Sequence, residues 1–203
     1  MNKRIIALIA IFAVVSILSG CGGRTVKRTE VDKTIDLSGR WNDTDSRFVA
    51  EEMIRDCVDR PWINQFNEKS GRMPLVIIGT VKNRSHEHIN SQVFTKDLEK
   101  SLINSGLVGF VASKEEREEI RAERDDQTAE GYTEAESIKA KGHETGADFM
   151  LQGTINSVKD EVKGKYVIMY QVNLELIDIL NNRKVWIGEK EVKKYVKKSA
   201  FSL

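Results

Sequence analysis

Between Tyr170 and Leu176 the chain alternates without a break, setting Tyr170, Val172, Leu174 and Leu176 against Gln171, Asn173 and Glu175. A period of two puts the apolar set on one face of a strand and the polar set on the other, so this stretch requires a sheet with one covered face. Asn181-Asn182 follows, both tolerant of positive φ, and Lys184 to Val192 returns as a partner strand, which predicts a β-hairpin. Three more strands are readable upstream. Leu75-Val76-Ile77-Ile78, introduced by Pro74, is a continuous apolar run suited to a central strand covered on both faces; Val108 to Ala112 and Ala147 to Val158 are the others.

Helical signals fill the intervals. Val49, Met53 and Cys57 recur at four-residue spacing from Ser46 to about Arg60, with Asp45 or Ser46 as the N-cap. Pro61 opens a short helical or turn segment, Trp62 to Asn67, before Ser70-Gly71. Phe94, Leu98 and Leu102 mark a helix face, and Gly106 falls where a left-handed C-cap belongs. Ser113 with Glu116 forms a capping box at the head of a helix running to Asp126, whose only apolar residues are Ile120 and Ala122. Such a helix cannot be buried. It reads as a solvated face held by pairs such as Glu118 with Arg121 and Arg121 with Asp125. Thr133 with Glu136 predicts one more helix, with Ala135, Ile138 and Gly142 as a narrow seam and Gly146 as its end. The expected fold is α/β: a single domain with a mixed four- or five-stranded sheet flanked by helices, its core resting on Ile77, Val172 and Leu174.

The first residues have a different logic. Lys3 and Arg4 precede an apolar run from Ile5 to Leu18, about 14 residues where a spanning helix needs about 20. Leu18-Ser19-Gly20-Cys21 resembles the lipobox read by bacterial lipoprotein signal peptidase: Leu18 fills an apolar pocket, and the small Ser19 and Gly20 let the backbone enter. Cys21 is then the acylated first residue of the mature chain, and two or three acyl chains hold a protein on a membrane essentially permanently. Gly22 is not the aspartate that favours inner-membrane retention, which points to the outer membrane. The expected organisation is a signal peptide over 1–20, a lipidated flexible tether over 21–44, the α/β domain over 45–198 and a tail over 199–203.

Composition narrows the chemistry. Without residues 1–20 the chain carries 30 basic and 31 acidic residues, and only Lys193 to Lys198 shows a basic bias, so nucleic acid is not an expected partner. Once Cys21 is lipidated, Cys57 is the sole thiol and reads as a small buried apolar residue on a helix rather than a nucleophile. His86-Glu87-His88 offers two imidazoles but no third ligand in the sequence, and reads as a solvated loop rather than a metal site. Neither Gly-x-Ser-x-Gly nor Ser-x-x-Lys occurs, and Gly79 and Gly106 belong to no phosphate-binding loop. No enzyme activity, cofactor, metal or small-molecule substrate is expected.

Four blocks together resemble the LpoB family of outer-membrane lipoproteins. They are Val76-Ile77-Ile78-Gly79-Thr80-Val81-Lys82-Asn83-Arg84-Ser85, then Asn104-Ser105-Gly106, then Gly146-Ala147-Asp148-Phe149-Met150-Leu151, and finally Leu176-Ile177-Asp178 through Val185-Trp186-Ile187-Gly188. The resemblance covers roughly residues 46–195. It implies a non-enzymatic α/β domain related to the N-terminal domain of TolB, facing the periplasm from the outer membrane and activating a bifunctional, class A penicillin-binding protein. Members of that family carry a long Pro-rich linker, whereas the two prolines here, Pro61 and Pro74, lie inside the domain. Partner-contacting residues are expected in the loop Asn83, Arg84 and Ser85 and on the charged helix at Glu118 and Arg121. The alternative is a component of an envelope secretion system, because CsgG-type lipoproteins resemble this core too. Such pores need extra pairs of amphipathic strands, which this sequence lacks.

Overall fold

The computed structural model describes residues 28–30, 33–129, 133–139 and 141–197; Leu18, Ser19, Gly20, Cys21 and the tail over 199–203 lie outside the described residues. From Thr34 onward the chain forms one unit. Asn42, rather than Asp45 or Ser46, caps the first helix, α1 (Asp43–Val58), and the Asp45 carboxylate returns the bond to the Asn42 N–H to complete a capping box. Pro61 leads into α2 (Trp62–Ser70), which Gly71 ends in the left-handed region. Then follow β1 (Leu75–Asn83), α3 (Ser91–Ser105), the two-residue β2 (Gly109–Phe110), α4 (Lys114–Gln127), β3 (Phe149–Val162), β4 (Lys165–Asp178) and β5 (Lys184–Lys197). Gly106 caps α3 at φ +66°, and Ser113 with Glu116 makes the capping box of α4.

The sheet has five strands in the order β2-β1-β3-β4-β5. Strands β2 and β3 run parallel to β1, while β4 and β5 follow as antiparallel neighbours. It is the mixed sheet the pattern called for, because the β1–α3–β2 crossover allows parallel pairing and the hairpins enforce antiparallel pairing. Helices α1 and α3 pack on each other, with α1 against β5 and α3 against β1 and β2. Between helices and sheet lies one core that includes Val49, Met53, Phe94, Leu98, Leu151 and Tyr170. Val172 and Leu174 are fully buried within it. Ile77 is also buried, but alternation turns it to the face opposite Val76 and Ile78, outside that cluster. Among the described residues no helix is long and apolar enough to cross a membrane.

Other expectations change as well. The helix foreseen from Thr133 to Gly146 is not formed in the described part of that stretch, where turns replace it. Its seam of Ala135, Ile138 and Gly142 is too small to drive burial, and the segment is instead held to α4 by charge, Glu144 with Arg121 and Arg124, and Lys141 with Asp125. Arg121 thus forms its ion pair with Glu144 rather than within α4, although Glu118 still acts on it electrostatically, and Lys114 with Glu118 at 3.9 Å lies along the helix. Finally, β3, β4 and β5 each extend to 14 residues, well past Val158, Tyr170 and Val192. Their far halves pair fully, Val162 closing opposite Lys165 around Lys163 and Gly164 at φ +38° and +77°. Positive φ at both central residues defines a type I′ turn, a geometry that glycine adopts freely and lysine rarely.

The segment before α1 is fastened to this ribbon. Tyr166 donates its hydroxyl to the Ser38 carbonyl, the Trp41 N–H donates to the Tyr170 hydroxyl at 3.0 Å, and Lys194 Nζ meets Asp36 Oδ1 at 2.7 Å, the Arg40 carbonyl at 3.1 Å and Asp45 Oδ2 at 2.6 Å. Gly39 adopts φ +70°, and a Cβ there would come within 2.1 Å of Val196 Cγ2. Residues 36–42 of the stretch read as tether thus form a strap across β4 and β5.

Candidate functional site

Asn83 ends β1 and organises the loop that follows. Its Oδ1 accepts from the Ser85 N–H at 2.9 Å and hydroxyl at 2.7 Å, and its Nδ2 donates to the Glu87 carbonyl at 2.8 Å. These are Asx-type contacts that replace a missing backbone ladder. The Arg84 N–H continues the sheet by donating to the Ile155 carbonyl at 2.8 Å, leaving the side chain exposed. The His86 N–H donates to Ser157 Oγ at 3.0 Å, and its Nδ1 lies 3.0 Å from the same hydroxyl. Glu87 turns inward, where its carboxylate accepts from the Tyr170 hydroxyl at 2.7 Å and the Trp41 N–H at 3.3 Å. Burial, then the Glu87 charge, push the Tyr170 hydroxyl well above the ordinary phenol range. So the His86-Glu87-His88 stretch is solvated at both histidines, while Glu87 turns in and locks the strap to the sheet. Among the described residues no three ligating side chains gather as a metal would need.

The predicted residues on α4 have a different setting. Arg121 makes a bidentate pair with Glu144, at 2.9 and 2.6 Å. Arg121 first, then Arg124, hold the Glu144 carboxyl down to about 2. Glu118 remains exposed. Glu116 faces α3, where Lys96 at 2.7 Å, aided by the Ser113 N–H, lowers its pKa to about 2. No hydrogen bond or ion pair among the described residues joins the Asn83 to Ser85 loop to Glu118 or Arg121. Asn83, Ser85 and Arg121 are engaged by other groups of the chain, Glu118 lies 3.9 Å from Lys114 on its own helix, and the Arg84 and Glu118 side chains are exposed.

Sequence reasoning missed the corner built by Asp148. Its carboxylate accepts twice from Arg72, at 2.8 and 2.7 Å, and once from the Leu75 N–H at 2.9 Å, while its backbone bonds to both Leu75 and Ile179. It thereby ties together the starts of β1 and β3 and the β4–β5 hairpin. The signal was present, a polar residue directly before a strand, but its partner lies 76 positions away. Cys57 is buried on α1 as expected, and burial, with the neighbouring Asp56 charge, pushes its thiol up to about 12, far from a nucleophile's range.

The family model of the peptidoglycan-synthase activator LpoB matches residues 45–192, from α1 into β5. No curated protein matches. Among similar solved structures, the LpoB C-terminal domain from Salmonella enterica shares 14% identity over 65% of this chain and 93% of that one, with a TM-score of 0.38. The NMR structure of Escherichia coli LpoB shares 12% over 89% and 84%, at 0.39. Lipoprotein GNA1162 from Neisseria meningitidis shares 14% over 64% and 88%, also at 0.39. With the family model covering residues 45–192, well over half of the chain, this chain belongs to the LpoB family of peptidoglycan-synthase activators.

Proposed function

We propose that this protein is a lipoprotein, anchored through Cys21 in the outer membrane, whose periplasmic domain binds and activates a bifunctional, class A penicillin-binding protein. The observation that carries this reading is the family match over residues 45–192. Leu18-Ser19-Gly20-Cys21 supports the anchor, and the loop and helix geometry supports a partner that docks on a surface. Activation then works by differential affinity: the domain shifts the synthase toward its active state only as far as it binds that state better. Within the surface expected from sequence, Arg84 and Glu118 are exposed to solvent. The strap shortens the span between anchor and domain. From Gly22 to Ile35 the chain can reach at most about 50 Å, and the exposed end of β3, Val158 to Val162, extends about 16 Å past the helical layer.

The test is glycan polymerisation and cross-linking by each class A synthase of the host, with and without the protein in excess. A raised rate with one synthase is expected. Unchanged rates with all of them refute the activator reading and bring the secretion-component reading forward. Separately, Cys21→Ala is expected to leave an uncleaved, unacylated precursor by intact-mass spectrometry, and normal processing refutes the anchor.

A further inference from the structure

At the end of the sheet where β1 and β3 begin, a cleft of about 600 Å³ opens between α2 and the β4–β5 hairpin. Its floor is aromatic, with Phe149 flanked edge-on by Trp62 at 4.9 Å and Phe66 at 5.3 Å. Its outer wall is the hairpin loop, on which Leu180 is 90% exposed and Ile179 44% exposed. An exposed leucine is unremarkable alone. The way this one is held is not. Asp178 Oδ1 accepts from the Leu180 N–H at 2.9 Å and Oδ2 from Asn181 Nδ2 at 2.8 Å; Asn181 Oδ1 accepts from the Arg183 N–H at 3.0 Å. Backbone bonds run from Asn182 N–H to the Asp178 carbonyl and from Ile179 N–H to the Asp148 carbonyl, at 2.8 and 2.9 Å. The loop's polar groups hold its backbone so that Leu180 projects outward, which lowers the cost of ordering the loop on binding.

The charges around the cleft are unbalanced. The cleft's lining sets Lys69, Arg72 and Arg183 against Asp148 and Asp178, one cation in excess. Asp148 pairs with Arg72, Asp178 is hydrogen-bonded within its own loop, and no carboxylate among the described residues forms an ion pair with Lys69 or Arg183, both exposed on the rim. We infer that this hairpin tip and cleft form the docking face for the synthase, with Leu180 entering an apolar pocket on the partner whose carboxylate-bearing rim meets Arg183 and Lys69. This inference rests on the activator reading. A rigid apolar anchor at the centre with cations around it is the arrangement in which a few residues dominate affinity and charge sets the rate of encounter.

The experiment measures binding of the full chain, in detergent, to the purified class A synthases of the host, together with the polymerisation rate. Leu180→Asp is expected to weaken binding by about tenfold or more, and Lys69→Glu with Arg183→Glu to slow association and remove its salt dependence. Val158→Asp, at a site 62% exposed on the far half of β3, serves as the control and is expected to bind normally. Urea midpoints are expected to stay unchanged, because the substituted side chains are exposed. Should Leu180→Asp lower the midpoint, the charge-reversed pair carries the test. If the unaltered chain binds and stimulates while Leu180→Asp and the charge-reversed pair do so equally, the docking face lies elsewhere and the inference falls while the activator reading stands; loss of binding by Arg84→Glu together with such retention places it on the β1 loop. If the unaltered chain engages no class A synthase, both readings fall.

Discussion

Asp148 accepts three hydrogen bonds with 19% of its side chain exposed, and it stands where two strands and a hairpin meet. Burial works against its ionised form, but the Arg72 guanidinium and the Leu75 N–H outweigh that and hold its carboxyl below the ordinary range. A depressed pKa in the folded state means that its contribution is complete above the ordinary carboxylate value and fades as pH falls through the folded one. Asp148→Asn is therefore expected to lower stability at pH 7 by about 1–3 kcal/mol, read as a lower urea midpoint. The gap from the unaltered protein should narrow as pH is taken below about 4. A gap constant down to pH 2 would show that Asp148 acts through packing alone. Gly146-Ala147-Asp148 was legible in the sequence as a resemblance, but the reason for the carboxylate was not, because Arg72 enters only through the β1–β3 pairing.

The strap shows what one element can conceal in a sequence. Residues 36–42 have no period of either kind and read as tether, because what binds them is supplied by β4, β5 and the β1 loop. Lys194 is central: it and Asp45 are each 10% exposed at the side chain. Burial opposes the Lys194 charge, yet the Asp36 and Asp45 carboxylates keep its pKa raised. A raised folded pKa leaves this contribution complete below about 10.5 and lost only as pH rises past it. Lys194→Met leaves two carboxylates facing each other without their cation and is expected to cost about 3 kcal/mol at pH 7. An unchanged urea midpoint would mean that the strap is held by Trp41 and the tyrosines instead. On α4 the reverse applied. Its exposure and capping box were plain from sequence, while the choice of Glu144 over an intrahelical partner for Arg121 depended on where the following segment returned.

For the whole molecule, the sheet has two regimes. From Phe149 to Ser157 β3 alternates against the helical layer, whereas from Val158 onward its residues are exposed. Local stability follows buried contacts. Amides of Lys159 to Val162 are thus expected to exchange hydrogen faster than those of Leu151 to Ile155, although both sets are paired to β4 in full register. Equal protection along β3, measured by hydrogen exchange and mass spectrometry, would show that the ribbon opens only with the global unfolding of the domain.

The sequence by itself determined the fold class, the order of most elements, the caps at Gly106 and Ser113, and the buried positions Val172 and Leu174. All of these rest on interactions within a few residues of each other, where the period of apolar side chains and the chemistry of a cap act directly. The tertiary structure alone decided that 133–139 is not helical, that Lys163-Gly164 turns β3 into β4, and that Glu87, Asp148 and Lys194 are its polar anchors. Each depends on a partner brought from a distant part of the chain, and a carboxylate or ammonium in a sequence looks the same whether it will face water or a strand 70 residues away. The hairpin tip lies between these limits: Asn181-Asn182 announced a turn, but only the folded loop, with its donors satisfied inward, left Leu180 facing out beside an aromatic cleft.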